Sequence, residues 1–218
     1  ASPTDVYTAD SHYVMDYSQT TPGGEATYQG YTLNPIQYPN DPRAMGRFYS
    51  VRSVRIDGQL FLYMNDMNGK ELTVYRMSGE TAIPAVMWSH GSNFVPSTAT
   101  PPGTNWLWVD ADGDGQFDTS EFTSASTSQS ISGSVDSSGD VWVTKWYANT
   151  IYRYECQGVD AHGVPIYSTS NVSTYARPSL FPYDQLVQSQ YIPETDTMLL
   201  VGFTSAYPRS GDQFMPLG

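Results

Sequence analysis

Basic residues and cysteine are both scarce in this chain. Lys and Arg number 10 against 22 Asp and Glu in 218 residues, which gives a formal net charge of -12. Nucleic acid and anionic membranes offer so acidic a protein no counter-charge, so we predict no nucleic-acid partner. Cys156 is the only cysteine, which excludes an intrachain disulfide. Its alternating neighbours favour a small buried apolar residue over the alternative, a reactive thiol.

Other kinds of signal are also missing. No apolar run approaches the about 20 residues that a membrane-spanning helix needs. His12, His90 and His162 are scattered without the close pairing of a transition-metal site, and the Gly-x-Ser-x-Gly frame of a nucleophile elbow does not occur. No signal peptide is visible, and the chain begins at Ala1. We therefore interpret it as a processed chain or as a piece of a longer one.

What the chain has in quantity is tyrosine, glycine and proline, in a pattern typical of short strands. Aromatic residues make up 14% and include 17 Tyr. From residue 48 the sequence alternates polar and apolar positions, and Asp57-Gly58 supplies a hairpin turn in which both residues take positive φ. Four such strands within about 40 residues are the size of one propeller blade. Residues 130–168 repeat the pattern, with 164–168 as the last strand.

The predicted fold class is therefore an all-β propeller, or a propeller segment, of four-stranded antiparallel blades within one domain. We divide it into an irregular segment or partial blade (1–47), a blade (48–88), an insertion (89–129), a second blade (130–168), and a partial blade with a C-terminal loop (169–218). Pro84 is expected on an edge strand, because it lacks an N–H donor. Propellers have four to eight blades, which favours a longer chain that closes the ring.

The insertion contains the most specific motif of the sequence. Asp110, Asp112 and Asp114 alternate, Gly115 stands at the sixth position of a twelve-residue loop, and Glu121 ends it, which is the ligand spacing of an EF-hand calcium loop. Three carboxylates so close together repel one another unless a cation lies among them. We predict Ca²⁺ binding here, against the alternative of an acidic surface turn without an ion.

The remaining ligand roles follow from the same spacing. Gln116 is expected to contribute its backbone carbonyl, Asp118 a water-mediated contact and Glu121 a bidentate carboxylate. Residues 105–109 are aromatic and β-branched, so a strand and not a helix enters the loop. A single loop without its helix pair has no groove to open, which favours a structural role over a calcium sensor.

These segments also carry a resemblance. Residues 108–122, 134–142 and 157–167, with 55–63 upstream, resemble large secreted bacterial proteins with NHL-like β-propeller repeats in which an EF-hand-type loop interrupts the blades. The likeness covers about residues 34–170. It implies a propeller architecture and an extracellular location but no reaction, because those proteins are mostly of unassigned function.

The predicted function is thus a secreted, calcium-binding module that acts in an extracellular assembly or in glycan or protein recognition, with self-assembly as one form of it. The alternative is a propeller enzyme acting on polysaccharide, with its site in a central channel. Asn171-Val172-Ser173 is an acceptor pattern for N-glycosylation, which is frequent by chance. Tyr and Trp side chains are expected to fill interfaces between blades, with a sugar-stacking surface as the alternative.

Overall fold

The computed structural model describes residues 4–45, 48–66, 69–90, 96–125, 132–144, 149–182 and 186–209. Within these ranges the chain forms four antiparallel sheets, which confirms the all-β prediction. The described helices are 3-10 turns of three or four residues at Pro42–Met45, Thr119–Glu121 and Pro193–Thr195. None of them is long enough to cross a bilayer.

Each sheet is built from strands that follow one another in the chain. The first contains β1 (Asp5–Tyr7), β2 (Ser11–Met15) and β3 (Ala26–Tyr31). The second contains β4 (Phe48–Ile56), β5 (Gln59–Asp66), β6 (Glu71–Ser78), β7 (Thr81–His90), β8 (Asn105–Val109) and β9 (Phe122–Ser124). The third contains β10 (Ser132–Val135), β11 (Val141–Thr144), β12 (Thr150–Tyr154) and β13 (Val172–Ala176), and the fourth contains β14 (Leu186–Ile192) and β15 (Thr197–Gly202).

Local sequence explains the tightest connection. Asp57 and Gly58 have φ values of 49° and 81°, and Ile56 pairs with Gln59 across the turn. Both central residues therefore lie in the left-handed region, as a two-residue type I′ turn requires. The predicted Asp-Gly hairpin between β4 and β5 is confirmed.

The four sheets pack face to face in chain order. Strand β5 shows why, because its side chains are buried on both faces: Phe61 and Tyr63 enter the core shared with the third sheet, and Leu62 and Met64 pack with Tyr7 of the first. The third sheet is likewise two-sided, since Val141 and Val143 face the second sheet while Trp142 packs against the fourth sheet. Alternating burial on both faces is what a sheet between two others requires.

The second sheet differs from the predicted four-stranded blade, because it has six strands. Strand β8 pairs with the second half of β7, from Val86↔Val109 to His90↔Asn105, and β9 pairs with β8. The segment predicted as an insertion between blades therefore extends the sheet. Pro84 lies in an internal strand and not on the edge, but it precedes the part of β7 that pairs with β8 and sits beside a register shift in the pairing with β6.

The third sheet has four strands, but its last strand is not the one predicted. The predicted strand at residues 164–168 forms only a bridge between Val159 and Pro165, and β13 takes the fourth position. Asp160 explains the difference: its Oδ1 accepts the N–H groups of His162 (2.9 Å) and Val164 (2.8 Å), which folds the segment back on itself.

The outer segments also contain sheets. The stretch 1–47, predicted as an irregular segment or partial blade, holds β1 to β3. The predicted partial blade 169–218 holds β13 to β15, with residues 210–218 outside the described ranges. Among the described strands the sheets form a stack of four, and a closed propeller ring is not among their pairings.

Candidate metal centre

The acidic loop connects two neighbouring strands of the second sheet. It leaves β8 after Val109 and returns through the 3-10 turn Thr119–Glu121 into β9, which pairs with β8 from Trp106↔Ser124 to Trp108↔Phe122. The loop is thus a long hairpin connection held closed at its base. A strand precedes it, as predicted from the sequence, and a 3-10 turn ends it.

Three of the predicted ligands converge. One carboxylate oxygen from each of Asp110, Asp112 and Asp114 lies within 4.8 Å of the others, and the described residues contain no other such group of three. Backbone donors orient all three: Asp110 accepts from Gly115 (3.1 Å), Asp112 from Asp114 (3.2 Å) and Asp114 from Gln116 (2.7 Å). These hydrogen bonds each use an Oδ1 atom, so the second oxygen of each carboxylate is not committed by them.

Asp110 is the unusual member of this group. Asp112 and Asp114 are exposed, whereas Asp110 is 0% exposed. Its Oδ2 atom is buried without a hydrogen-bond donor, and the nearest cation is Nη2 of Arg76 at 3.8 Å. A buried carboxylate oxygen that has lost its water and accepts no hydrogen bond is costly, and a cation 3.8 Å away offsets only part of that cost. A metal ion would supply the missing partner.

The electrostatics agree with this geometry. Burial raises the pKa of Asp110 to about 6. The N–H of Gly115 and the charge of Arg76 oppose that rise, while the carboxylates of Glu121 and Asp114 add to it. Burial also raises the pKa of Glu121. Clustered negative charge and lost hydration both disfavour ionised carboxylates, and a bound cation would relieve both.

The other predicted ligands have definite positions in the loop. Glu121 accepts hydrogen bonds from the backbone of Ala111 (2.7 Å) and Asp118 (3.3 Å) and from the indole of Trp108 (2.8 Å). It therefore closes the loop and stands outside the group of three close carboxylates. Gln116 donates from its side chain to the carbonyl of Gln37 (2.9 Å), and Asp118 is exposed.

The loop also contacts distant parts of the chain. Phe117 is 1% exposed and packs on Trp108, with ring centroids 4.1 Å apart. Thr98 donates to the carbonyl of Phe117 (3.1 Å). A Cβ atom at Gly113 would lie 2.7 Å from Cβ of His162, so the loop directly abuts the 157–166 segment, which lies between β12 and β13 of the third sheet. The acidic loop thus joins segments far apart in sequence.

Arg76 is a part of the site that the sequence does not predict. It lies on β6 and donates to the carbonyl of Gly113 at 2.5 Å, while it faces Asp110. Its position in an ordinary alternating strand gives no sign of this contact. Only the packing of the loop over the end of β6 brings Arg76 and Asp110 together.

Residues considered for other chemistry have structural partners. His12 lies between Glu80 (2.9 Å) and Asp5 (3.3 Å). Burial raises the pKa of Cys156, which keeps it a thiol at neutral pH and supports the structural interpretation. Asn171 donates to Glu155 at 3.1 Å, and its glycosylation stays a prediction.

Comparisons of the chain with protein-family models, with curated proteins and with solved structures found no match.

Proposed function

We propose that the chain is a calcium-stabilised β-sheet module of an extracellular protein, and that the 110–121 loop is its structural clasp. The observation that carries the proposal is the Oδ2 atom of Asp110, which is buried, lacks a hydrogen-bond donor and belongs to a group of three carboxylates. In an acidic surface turn without an ion, burial of this oxygen costs free energy that Arg76, 3.8 Å away and not hydrogen-bonded to it, offsets only in part. A bound cation would offset the remaining cost.

The donor set favours calcium among the common metal ions. All three convergent side chains offer carboxylate oxygens, and neither histidine nor cysteine belongs to the group. Hard oxygen donors suit Ca²⁺, while Zn²⁺ and Cu²⁺ prefer nitrogen or sulfur. Mg²⁺ demands stricter geometry and keeps more of its water, so we expect it to bind more weakly.

The contacts of the loop support a clasp and not a sensor. The loop is tied to the N-terminal segment through Gln37, to β6 through Arg76 and to the 157–166 segment through His162. An ion that fixes the loop therefore also fixes its contacts with the segment after the first sheet, with a strand of the second sheet and with a connection inside the third sheet. No helix pair flanks the loop that could open to expose a groove, since strands β8 and β9 flank it.

The sheet stack is consistent with part of a propeller of NHL-like blades, in which successive sheets also pack face to face. We propose this architecture and a secreted location as the setting of the clasp, with display and binding as its role. Extracellular fluid contains enough calcium to fill sites of modest affinity, which is the range of extracellular modules. The polysaccharide-cleaving alternative stays a prediction from the sequence.

Calorimetric titration of metal-free protein with CaCl₂ tests the proposal directly. We expect one ion per chain, a higher melting temperature at saturation, and luminescence of bound Tb³⁺ excited through the nearby Trp108. Asp110→Asn should weaken calcium binding at least about 100-fold, because the replaced group is an anionic ligand.

Asp16→Asn is the matched control. Asp16 also accepts a backbone N–H group, from Ser18 (3.0 Å), but it is exposed directly after β2 and belongs to no group of three close carboxylates among the described residues. Its replacement should leave calcium affinity unchanged. The proposed function would be refuted if the wild-type protein took up no calcium. It would also be refuted if Asp110→Asn bound calcium as tightly as the wild type.

A further inference from the structure

The first sheet presents three tyrosines on one face because of a β-bulge. Tyr13 pairs with Tyr28 and His12 pairs with Gly30, so Gln29 is an extra residue on β3. Without the bulge, Tyr28 and Tyr31 would point to opposite faces. With the bulge, the ring centroid of Tyr28 lies 5.6 Å from that of Tyr13 and 5.7 Å from that of Tyr31. We call Tyr13, Tyr28 and Tyr31 the tyrosine face.

The opposite face of the same sheet is already used for packing. Tyr7 stacks on His12 with ring centroids 4.3 Å apart, and Tyr7 also packs against the second sheet. A Cβ atom at Gly30 would lie 3.7 Å from Glu80, which places Gly30 on this packed side. The tyrosine face therefore points away from the second sheet. Tyr28 is 48% exposed and Tyr31 is 69% exposed.

This part of the chain carries negative charge and neither lysine nor arginine. Residues 1–42 contain no Lys or Arg, and their one histidine, His12, lies on the opposite face between Glu80 and Asp5. Asp10 and Asp16 are exposed at the two ends of β2, and Glu25 is half-buried directly before β3. Exposed aromatic rings with carboxylates on both sides form a surface whose electrostatic complement is a cation.

The fold already holds two of its own cations in this way. The guanidinium of Arg43 lies 4.2 Å from the ring centroid of Tyr75 and is paired with Asp41 at 2.6 Å. The guanidinium of Arg153 lies 5.6 Å from the ring of Trp142 and pairs with Asp140. In both cases a ring and a carboxylate share one guanidinium. The tyrosine face offers the same two groups, and residues 1–42 contain no lysine or arginine to pair with them.

We propose that the tyrosine face is a docking surface for an arginine- or lysine-bearing segment of a protein partner. A flat sugar-stacking surface fits less well, because the rings of Tyr13 and Tyr31 are turned by 63° and 73° from that of Tyr28. A partner with alternating basic side chains would place cations over the rings and beside Asp10 and Asp16. The inference is independent of calcium in the 110–121 loop.

The test uses the full chain in calcium-containing buffer and three capped peptides of equal length that alternate Gly with Arg, Gln or Glu. We expect the Arg peptide to bind and the other two not to bind. Tyr28→Ala should weaken binding about threefold, and Tyr28→Phe should keep it within about twofold, because phenylalanine retains the ring face. Raising NaCl from about 50 to 300 mM should weaken binding further.

Tyr49→Ala is the matched control, since Tyr49 is 76% exposed on β4 and has no place in the tyrosine face. Its affinity for the Arg peptide should equal that of the wild type. Equal affinities of Tyr28→Ala and wild type would overturn the proposal, because non-specific attraction to an acidic protein does not depend on one ring. Equal binding of the Gln peptide, or binding of cello-oligosaccharides in place of the Arg peptide, would overturn it too.

Discussion

Arg76 faces Asp110 without a hydrogen bond: Nη2 and Oδ2 lie 3.8 Å apart, although the same guanidinium donates to the carbonyl of Gly113 at 2.5 Å. The arginine is thus the counter-charge of the buried carboxylate in metal-free protein. At this distance it also repels a cation that binds to Asp110. One residue therefore stabilises the metal-free loop and lowers its affinity for metal.

Replacement of Arg76 by glutamine should separate these effects. We expect calcium affinity to rise about five- to tenfold, because the repulsion is removed. The free energy of unfolding of metal-free protein should fall by about 1–2 kcal/mol, because Asp110 loses its counter-charge and Gly113 its donor. Titration calorimetry and urea denaturation measure the two quantities.

Arg55→Gln serves as the control, since Arg55 is exposed and donates to the carbonyl of Gly58 at 2.9 Å, far from the acidic loop in sequence and in sheet position. It should leave calcium affinity unchanged. A lower affinity in Arg76→Gln would mean that its bond to Gly113 matters more for the metal site than its charge.

Asp110→Asn should make the metal-free protein more stable while it removes the response to calcium. The amide keeps the shape and the acceptor for the N–H of Gly115, and it no longer places a charge in a buried position. With the pKa of Asp110 raised to about 6, we expect a gain of about 1–3 kcal/mol in the free energy of unfolding at pH 7.

Chemical denaturation in EDTA measures this gain, with Asp160→Asn as the comparison. That variant should be less stable than the wild type, because Asp160 holds a turn through two N–H groups. If Asp110→Asn also destabilises the metal-free protein, the carboxylate of Asp110 stabilises the fold without metal. Its burial would then not depend on an ion.

The sequence predicts the acidic loop better than its surroundings, because the features of the loop depend on residues close together in the chain. Ligand spacing, Gly115 and the Asp57-Gly58 turn depend on residues that are neighbours in the chain, so a pattern in the sequence specifies them. Arg76 meets Asp110 only because the acidic loop packs over the end of β6. Strands β8 and β9 join the second sheet through the edge of β7. No local sequence pattern predicts this pairing. Likewise, the hydrogen bonds of Asp160 override the strand pattern at residues 164–168.

Calcium affinity should depend on pH through Asp110. Its pKa in the folded protein is raised to about 6, so below that value a proton competes with the ion. We expect the affinity to fall about tenfold per pH unit between pH 6 and 5, and more steeply where Glu121 also takes up a proton. Between pH 7 and 8 the affinity should be nearly constant.

Metal-free protein should show the opposite dependence. Since the folded state binds the proton more tightly than the unfolded chain, the free energy of unfolding falls as pH rises from about 4 to 6. The pH dependence of calcium affinity and the pH dependence of the free energy of unfolding should both become smaller in Asp110→Asn. If the variant and the wild type showed the same pH dependence, the proton would belong to a group other than Asp110.

Gly115→Ala should disrupt the loop by contact and not only by backbone strain. Gly115 has φ of +73°, and a Cβ atom there would lie 2.5 Å from Cγ2 of Ile83 and 2.7 Å from Cε1 of Tyr38. We expect a loss of about 2–4 kcal/mol in the free energy of unfolding. Calcium affinity should also fall, because the N–H of Gly115 orients Asp110.

Gly58→Ala isolates the strain alone, because Gly58 has φ of +81° and no atom within 4 Å of the added Cβ. It should cost about 1 kcal/mol and leave calcium affinity unchanged. The difference between the two variants then measures how tightly the loop is seated on β7 and the N-terminal segment. Equal losses of unfolding free energy in the two variants would show that Ile83 and Tyr38 move aside at little cost. The loop would then be packed too loosely to hold the sheets together.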